Sequence, residues 1–566
     1  MKGTEIMSRK IRKIAAGICA LAMAASVFSA CGDKNAQSSA DNGSEAVSNE
    51  ALTDESTEGD VSMMNNSTDD GINAVFGDIR TEFNENLDLS DYPLTPSEVP
   101  ADFTLTVEAE SGALSGSAVT HDLPEASGGG FVNGVNQEGD EVKMTADLPY
   151  SGFYDLNFRT MGSAGRVNNV LVDGMKVGDI TTNSPEFFGD TPLNNIYLEA
   201  GSHDISITPS WGYIDIDCVI ISAAAKPITE DTYKVTAPLC NPNADENARR
   251  LYKFLCDIYG KYSLAGQYAE KGRESSEFEK ITAKTGKSFA VLGLDVGNYS
   301  LGSKAHGTES RTVEYAYDWY KNAGGIVQLC WHWTSPEGYA VNSGDHPWYS
   351  SFYKEASKID LDKIMNGEDE EGYQLLMDDI DNMSEQLARL RDAGVPVLWR
   401  PLHEAAGGWF WWGDCEPESY KKLWNVMYDK MTNEHNLTNL IWVWNGQDPE
   451  WYPGDETVDI NGWDIYAGNH VDTSQSGRFA DMASNYGEKT KLIALTENGC
   501  VMDPDKVMND NARWLFWGTW SDPFTMKLGV VINDEYTTIE LLTKAYNHER
   551  VLTLDELPDL KNYPLD

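Results

Sequence analysis

Short runs in which hydrophobic and polar residues alternate occupy the chain from residue 102 to residue 224. The alternation is clear in Glu141–Leu148, Tyr154–Arg159 and His203–Thr208, and turns such as Asp173-Gly174 separate the runs. A period of two residues places every second side chain on the same face of a strand. Several short strands of this kind in one segment predict an antiparallel β-sandwich of the jelly-roll type.

A different pattern runs from residue 231 to residue 566, where strand-length apolar runs alternate with amphipathic stretches. One of these stretches has apolar residues at steps of four and three, which predicts a helix with one apolar face that ends near Gly394: Leu376, Ile380, Met383, Leu387 and Leu390. The apolar runs predict these strands: Leu264–Tyr268, Ala290–Leu294, Ile326–Trp331, Val397–Arg400, Ile441–Trp444, Asp459–Tyr466, Leu492–Thr496 and Trp514–Trp520. Repeated strand–helix units predict a (β/α)8 TIM barrel, with catalytic groups at the carboxyl ends of its strands.

The first 30 residues have the pattern of a secretory signal peptide. Basic residues precede the apolar run Ile14–Phe28, and Ser29-Ala30-Cys31 follows it. This ending resembles a bacterial lipobox, which implies a lipid on Cys31. Residues 31–101 are acidic and rich in Ser and Asn with few large apolar side chains, so we expect a flexible tether. The expected protein is exported, and it is either extracellular or anchored at the cell surface through that lipid.

Charge and composition narrow the classes of partner. The net charge of −47 repels nucleic acids and anionic membrane surfaces, so membrane contact is expected only through the lipid anchor. The 17 Trp and 26 Tyr favour a neutral polysaccharide as ligand, since aromatic faces stack on sugar rings. The cysteines beyond Cys31 are scattered without a C-x-x-C pair, which argues against a zinc knuckle or a disulfide framework. A single pair such as Cys240 with Cys256 stays open.

Two of the predicted barrel strands lead into a glutamate. Glu404 closes Arg400-Pro401-Leu402-His403-Glu404, and Glu497 lies in Leu495-Thr496-Glu497-Asn498-Gly499. Burying a carboxylate at the end of an apolar strand is costly unless it has a partner or a task. Two carboxylates that enter one barrel mouth from different strands suit glycoside hydrolysis, in which one protonates the leaving oxygen and the other attacks the anomeric carbon.

The residues around Glu404 resemble the signature of glycoside hydrolase family 26. The similarity covers roughly residues 252–558, and these motifs carry it: Arg400–Glu404, Gly408–Gly413, Gly266-Gln267, Trp331-His332-Trp333, Trp463-Asp464-Ile465-Tyr466 and Thr496–Gly499. The resemblance implies a retaining mechanism on a (β/α)8 barrel, with endo-β-1,4-mannanase as the commonest activity. It implies no cofactor for catalysis.

The same resemblance assigns roles to individual residues. It implies that Glu404 is the general acid/base, that Glu497 is the nucleophile and that Tyr466 hydrogen-bonds Glu497. Further residues are expected to bind substrate or to line its site: His332, Arg400, His403, Trp409, Asp464 and Trp520. Each histidine has the alternative of a core residue, Arg400 that of a structural ion pair, and Trp517 is the alternative to Trp520 as the floor under the sugar.

The β-sandwich segment resembles carbohydrate-binding module family 35. Its motifs begin at Val107-Glu108-Ala109-Glu110 and continue through Gly130–Gly134 to Tyr213–Asp217. The resemblance implies a structural Ca²⁺ held by Glu108, Glu110 and Asp217, and carboxylates are suitable ligands for that ion. Solvated strand ends are the alternative for the two glutamates. Trp211 is the candidate platform for a sugar, with core packing as its alternative.

The sequence therefore predicts four segments: a signal peptide (1–30), a tether (31–101), a carbohydrate-binding module (102–224) and a glycoside hydrolase barrel (231–566). The predicted function is retaining, endo-acting hydrolysis of β-1,4-mannosidic bonds in mannan, galactomannan or glucomannan. One alternative is the same barrel acting on mixed-linkage β-glucan or β-1,3-xylan. The other is a non-catalytic glycan-binding surface protein, which would have no need for both Glu404 and Glu497.

Overall fold

A computed structural model describes residues 82–182, 184–210 and 212–565 of the chain. The predicted signal peptide, Cys31 and Trp211 lie outside these ranges. No helix within the described ranges is long and apolar enough to cross a membrane.

The first domain, here called the module, is the predicted antiparallel β-sandwich. Its strands are β1 (Thr104–Glu108), β2 (Ala113–Ser115), β3 (Val119–Asp122), β4 (Gly130–Val135), β5 (Glu141–Leu148), β6 (Gly152–Met161), β7 (Arg166–Val172), β8 (Met175–Thr182), β9 (Gly189–Leu198), β10 (Gly201–Pro209) and β11 (Ile214–Ala223). One sheet has the order β3-β4-β11-β6-β9 with β1 also paired to β11, and the other has the order β2-β5-β10-β7-β8.

The alternating pattern of the module strands explains its core. In β5, Val142, Met144, Ala146 and Leu148 are buried, while the residues between them face outward. The same period in both sheets brings two apolar faces together, as a sandwich requires.

The second domain is the predicted closed barrel of parallel strands. In the described residues they are β13 (Gly266–Tyr268), β14 (Val291–Asp295), β15 (Ile326–Cys330), β16 (Val397–Arg400), β17 (Leu440–Trp444), β18 (Ile460–Ile465), β19 (Leu492–Asn498) and β20 (Trp517–Thr519). Pairing of Gln267 with Thr519 closes the ring. Short strands outside the barrel are β12 (Ser263–Leu264), β21 (Met526–Lys527), β22 (Val531–Ile532) and β23 (Val551–Leu552).

Helices surround the barrel strands. They are α1 (Glu246–Ile258), α2 (Ser276–Thr285), α3 (Leu301–Lys304), α4 (Thr312–Lys321), α5 (Leu361–Met365), α6 (Glu370–Asp392), α7 (Pro417–Asp429), α8 (Ser476–Asn485), α9 (Pro504–Asn509) and α10 (Ile539–Tyr546). Helix α6 is the one whose spacing was clearest in the sequence. Asp369 caps its first turn, its apolar face is buried, and Gly394 follows its end with a φ of 66°.

The barrel strands are continuously apolar because both of their faces are covered. Every residue of β17 is buried, between the barrel interior and the surrounding helices. The observed strands match the apolar runs to within a few residues. The last one is shorter than predicted, since β20 begins at Trp517 rather than Trp514.

The last part of the segment predicted as a tether lies against both domains, and we call residues 82–101 the strap. Thr95 and Asn511 exchange hydrogen bonds of 2.9 and 3.0 Å, and Arg513 donates to the carbonyls of Tyr92 and Pro93. On the module side, the Ser97 hydroxyl accepts from the amide of Phe153. The described end of this segment is therefore a fixed part of the fold, not a free linker.

The module also packs directly on the barrel, through β9 and α8. Asn194 donates to Asp481 at 3.2 Å, and the Thr473 hydroxyl donates to the Lys176 carbonyl at 2.9 Å. Gly477 allows this close approach, since a Cβ there would lie 2.9 Å from the Asn194 carbonyl oxygen.

The cysteines of the described residues are free. Cys240 and Cys256, the pair left open by the sequence, both carry unpaired thiols, as do Cys218, Cys330, Cys415 and Cys500. The stability of both domains therefore rests on packing and hydrogen bonding.

Candidate active site

Charged side chains from three barrel strands meet at the carboxyl-terminal mouth of the barrel. Arg400 is the last residue of β16, Asp464 lies near the end of β18, and Glu497 is the sixth residue of β19. Glu404 follows β16 by four residues. Parallel strands bring their carboxyl ends to one rim, which is why residues far apart in the sequence share this mouth.

The backbone that carries Glu404 is held in an uncommon conformation. Leu402 and Glu404 have φ angles of 51° and 54°, in the left-handed region that favours glycine. The Glu404 amide donates to the Asn445 carbonyl at 2.6 Å, which fixes this turn to the neighbouring strand. Strained positions of this kind persist where the surrounding structure determines them, and they cluster at functional sites.

The carboxylates are close enough to act on one bond. Glu404, Asp464 and Glu497 each place an oxygen within 4.8 Å of the others. All three side chains are buried. Retaining glycosidases hold their two carboxyl groups about 5–5.5 Å apart, whereas inverting enzymes need about 6.5–9.5 Å. The spacing of Glu404 and Glu497 therefore corresponds to retention.

Arg400 is the cation at the centre of the cluster. It is fully buried, donates to Asp464 at 2.8 Å and contacts Glu497 through its other terminal nitrogen. Asp464 in turn accepts from Asn445 and Thr496, each at 2.7 Å. Hydrogen bonds to both terminal nitrogens of Arg400 and to the second oxygen of Asp464 hold this buried ion pair in one geometry. Arg400 thus forms the ion pair that the sequence left open and also orients Glu497.

Glu497 is surrounded by groups that favour its charged form. The Tyr466 hydroxyl donates to its second oxygen at 2.6 Å, as the family resemblance implied. Burial and the Asp464 carboxylate raise the pKa of Glu497, Arg400 and Tyr466 lower it, and the balance is a pKa of about 7. The carboxylate can therefore be ionised near neutral pH despite its burial, as a nucleophile must be.

Glu404 has a more apolar environment and a different protonation state. Burial raises the pKa of Glu404 well above its usual range, and the carboxylates of Asp464 and Glu497 raise it further. The Trp409 indole donates to the Glu404 carboxyl group at 2.9 Å. The direction of the pKa shift favours the protonated form that a general acid needs.

The two histidines form a chain beside the carboxylates. His332 bonds Asp295 through Nδ1 at 2.9 Å, and its Nε2 lies 3.3 Å from Nε2 of His403. Burial lowers the pKa of His403 well below its usual range, and Arg400 lowers it further, so this ring is neutral. Both rings lie at the mouth, His332 against Trp520 and His403 against Phe410.

The structure separates the two tryptophans that the sequence left as alternatives. Trp520 packs against Tyr268 at 4.5 Å and faces the mouth beside His332. Trp517 instead points outward toward Tyr546. Trp409 lies half-buried next to Glu404. Trp520 and Trp409 are therefore placed where a sugar on either side of the scissile bond would contact them, and their roles stay predictions.

Sequence reasoning missed several polar residues of the mouth. Asn445 directly follows β17 and links Glu404 to Asp464, Asp295 ends β14 and orients His332, and Tyr268 ends β13 and bonds Arg400 at 3.1 Å. All three lie at or next to a strand end, and the rule for strand-end carboxylates that found Glu404 could have found Asp295. An amide or phenol beside an apolar run attracts less notice than a carboxylate.

A second acidic cluster lies in the module. The Ser127 hydroxyl donates to Glu108, and the Ser127 amide donates to Asp217. One oxygen each of Glu108 and Glu110 is buried without a hydrogen bond, and Oδ2 of Asp217 accepts none and lies 3.5 Å from Arg159. Burial raises the pKa of Glu110 and of Asp217. Glu108 and Asp217 place oxygens within 4.8 Å of each other and of the Cys218 sulfur, and their charges also raise the pKa of Glu110.

Comparisons with known proteins found family models that match both the barrel and the module. The model of Glycosyl hydrolase family 26 matches residues 240–556, and that of Carbohydrate binding module (family 35) matches residues 105–224. A mannan endo-1,4-beta-mannosidase of Thermothelomyces thermophilus is 37% identical over 464 residues, which cover 82% of this chain and 92% of that protein. Mannan endo-1,4-beta-mannosidase B of Piromyces sp is 34% identical over 458 residues, 80% of this chain and 77% of that protein.

The solved structure of a Podospora anserina GH26-CBM35 beta-(1,4)-mannanase is 34% identical to this chain, with a TM-score of 0.55. The match covers 82% of this chain and 99% of that one.

Proposed function

The chain belongs to glycosyl hydrolase family 26, and we propose that it hydrolyses β-1,4-mannosidic bonds within mannan chains, with retention of configuration. The observation that carries the proposal is the pair Glu404 and Glu497, whose nearest oxygens lie within 4.8 Å in a buried barrel mouth. Relatives over most of the chain are named mannan endo-1,4-beta-mannosidases, which supports mannan as the substrate.

The two glutamates divide the reaction between them. Glu497 attacks the anomeric carbon while Glu404 gives its proton to the departing glycosidic oxygen, so one C–O bond forms as the other breaks. Glu404 then takes a proton from water, which attacks the same carbon and releases Glu497. The environments fit these roles, because Arg400 and Tyr466 bond Glu497 whereas Glu404 accepts a hydrogen bond from the neutral Trp409 indole.

The remaining residues of the mouth position the sugar. Trp520 provides an apolar face beneath the sugar at the cleavage point, and Trp409 lies on the leaving-group side of Glu404. His332, held by Asp295 at Nδ1 and next to His403 at Nε2, lines the same space. No cofactor is needed for catalysis, since the two carboxylates supply both the proton and the nucleophile.

We also propose that the module binds a structural Ca²⁺ through Glu108, Glu110 and Asp217. The fit rests on their buried oxygens, which lack hydrogen-bond donors within the described residues. Carboxylate oxygens are the ligands that this hard cation prefers. Because the cluster lies in the other domain from the catalytic glutamates, the ion would stabilise the module without entering the reaction.

The deciding experiment compares product release from linear β-1,4-mannan, mixed-linkage β-glucan and β-1,3-xylan. We expect short oligosaccharides from mannan, and a loss of kcat by about four orders of magnitude or more in Glu497→Ala. Glu418→Ala removes an exposed glutamate and serves as the matched control. Cleavage of glucan or xylan in place of mannan would overturn the substrate, and binding without cleavage of any polymer would identify a glycan-capture protein.

Export and anchoring are a separate proposal, which rests on the sequence of residues 1–31. We propose that the chain is exported and held at the cell surface by a lipid on Cys31. In the native host, Cys31→Ser should move the protein from the membrane fraction to the soluble fraction. An unchanged distribution would contradict the lipid anchor and leave the catalytic proposal as it stands.

A further inference from the structure

A cavity of about 380 Å³ lies between the module and the barrel. Strands β8 and β9 form one wall, and the end of β18 with helix α8 forms the other. Its polar and aromatic lining includes Asp179, Asp190, Trp463, Tyr466, Gln475 and Arg478. We infer that this interdomain cavity is a further sugar-binding subsite, built by both domains, for a unit of the polymer that also occupies the catalytic mouth.

The position of the cavity connects it to the reaction. Asp464 and Tyr466 line it, and the same two residues bond Arg400 and Glu497 inside the mouth. A polysaccharide is long enough to occupy both places at once, whereas a small ligand is not. The inference therefore rests on the proposed function, because its ligand is the polymer that the barrel cuts.

A second crevice at the same interface provides an internal contrast. It has a volume of about 280 Å³ and is lined by Lys226, Asn461 and Lys491, among others. Asn461 lies near the start of β18, so this crevice opens at the end of the barrel away from the carboxylates. The interdomain cavity is the one of the two that borders catalytic residues.

The lining suits a neutral polyhydroxylated ligand. The Arg478 guanidinium lies 4.2 Å from the Trp463 ring centroid, which holds a planar donor group at the cavity. Arg478 and Asp179 are both partly exposed, with 40% and 39% of their side chains accessible, and can reach a ligand. Charged groups bond sugar hydroxyls strongly.

The charges of the lining also exclude an anionic ligand. Four aspartates border the cavity, Asp179, Asp190, Asp464 and Asp481, against the two cations Lys176 and Arg478, and Arg400 offsets only Asp464, from inside the barrel. Asp179 lies 2.8 Å from the Lys176 ammonium group, so this aspartate offsets one of the two positive charges. A phosphate or a uronic acid would meet a net negative wall, whereas a neutral sugar would meet donors and acceptors together.

The two walls are held in a fixed relation. Asn194 on β9 bonds Asp481 on α8, and Thr473 bonds the Lys176 carbonyl at the edge of the cavity. A site that is formed before the ligand arrives does not lose affinity to ordering its parts. The close approach at Gly477 keeps the module from turning away from the barrel.

The test compares long and short substrates in Arg478→Ala and Asp179→Ala. We expect KM for mannohexaose and linear mannan to rise about tenfold with little change in kcat, since each substitution removes a charge-assisted hydrogen bond. The kinetics on an aryl mannobioside should stay as in the wild type, because it is too short to leave the mouth. Arg478→Lys should recover part of the loss.

Lys226→Ala in the second crevice is the matched control and should leave all substrates unaffected. Calorimetric titration of mannohexaose into Glu497→Ala, with and without Arg478→Ala, should show the same tenfold change in Kd. Equal losses on long and short substrates, or no loss on either, would overturn the subsite. A wild-type enzyme that cuts no mannan would instead overturn the proposed function.

Discussion

The barrel and the module each bring carboxylates together, and the two groups differ in how the negative charge is compensated. In the barrel, Arg400 bonds Asp464 and Glu497 from within. In the module, Arg159 only reaches Asp217 at 3.5 Å, and the buried oxygens of Glu108 and Glu110 accept no hydrogen bond. The comparison suggests a general distinction. Carboxylates that the protein pairs with its own arginine are suited to catalysis, whereas carboxylates that lack such a partner are suited to binding a cation.

The internal cation leaves the barrel carboxylates able to change protonation state. Arg400 lowers the pKa of both glutamates, and it makes a direct hydrogen bond to Glu497. The proposed acid and the proposed nucleophile therefore have different environments, although both are glutamates. In the module cluster, a bound ion would keep the carboxylates ionised.

The largest effect should come from removing the internal cation. Arg400→Met leaves two buried carboxylates without their partner, so we expect a drop in unfolding free energy of about 3–5 kcal/mol and about a thousandfold loss of kcat/KM. Without the guanidinium the pKa of Glu497 rises above its present value of about 7. The acid limb of the pH profile should therefore move to higher pH.

The measurement is kcat/KM on mannan from pH 5 to pH 10, together with thermal unfolding. Arg400→Lys keeps the charge but loses the two-pronged contact, and it should show a smaller shift of the acid limb. An acid limb that stays in place in Arg400→Met would contradict the electrostatic role of this residue.

Removing the proposed Ca²⁺ should lower the stability of the module instead. In the full chain, Ca²⁺ at about 100 times its Kd should stabilise the module by about 2.7 kcal/mol, and EDTA should abolish this gain. Differential scanning calorimetry would follow the unfolding transition of the module, while initial rates on mannan should change little.

Two variants test whether the response to Ca²⁺ depends on a carboxylate of the cluster or on the acidity of the module as a whole. Glu108→Gln should lose the response to Ca²⁺, whereas Glu138→Gln, at an exposed position of the module, should keep it. Equal melting temperatures with Ca²⁺ and with EDTA in the wild type would lead us to withdraw the ion site.

The smallest expected effect is the loss of folding stability caused by ionising the buried Glu404. Its pKa is raised in the folded state, so the stability that its protonated form contributes is present at low pH and is lost as the pH rises above the usual range of a glutamate. Glu404→Gln should therefore melt at a higher temperature than the wild type at pH 8, by about 2–4 °C for each kcal/mol recovered, and at nearly the same temperature at pH 4.

Thermal scans of Glu404→Gln and Glu418→Gln at both pH values provide the check. The exposed Glu418 should give no difference at either pH. A gain of the same size at pH 4 and pH 8 would show that the effect is not ionisation of Glu404.

The sequence was sufficient for the architecture and for the pair of catalytic candidates. Period-two alternation and continuous apolar runs distinguish a sandwich from a barrel, because one has half-covered strands and the other has strands covered on both sides. Glu404 and Glu497 could be found because a buried carboxylate at a strand end is conspicuous. Nothing in that pattern identifies Asn445, since an amide is common in such positions for many reasons.

The relation between the domains was beyond sequence reasoning. The strap has the composition of a linker, yet Thr95 bonds Asn511, which is 416 residues further along the chain. Likewise, the close contact at Gly477 depends on which faces of β9 and α8 meet. Periodicity reports which face of an element is apolar and not which neighbour covers it.

The strap also bears on the order in which the chain is made. It leaves the ribosome before the module, whereas its partners Asn511, Arg513 and Leu557 come much later, with Asn511 lying 416 residues after Thr95. Domains generally fold as units during synthesis, the amino-terminal one first. The module can therefore fold before the strap makes its hydrogen bonds to the barrel, and the last of these bonds forms only after Leu557 has been synthesised.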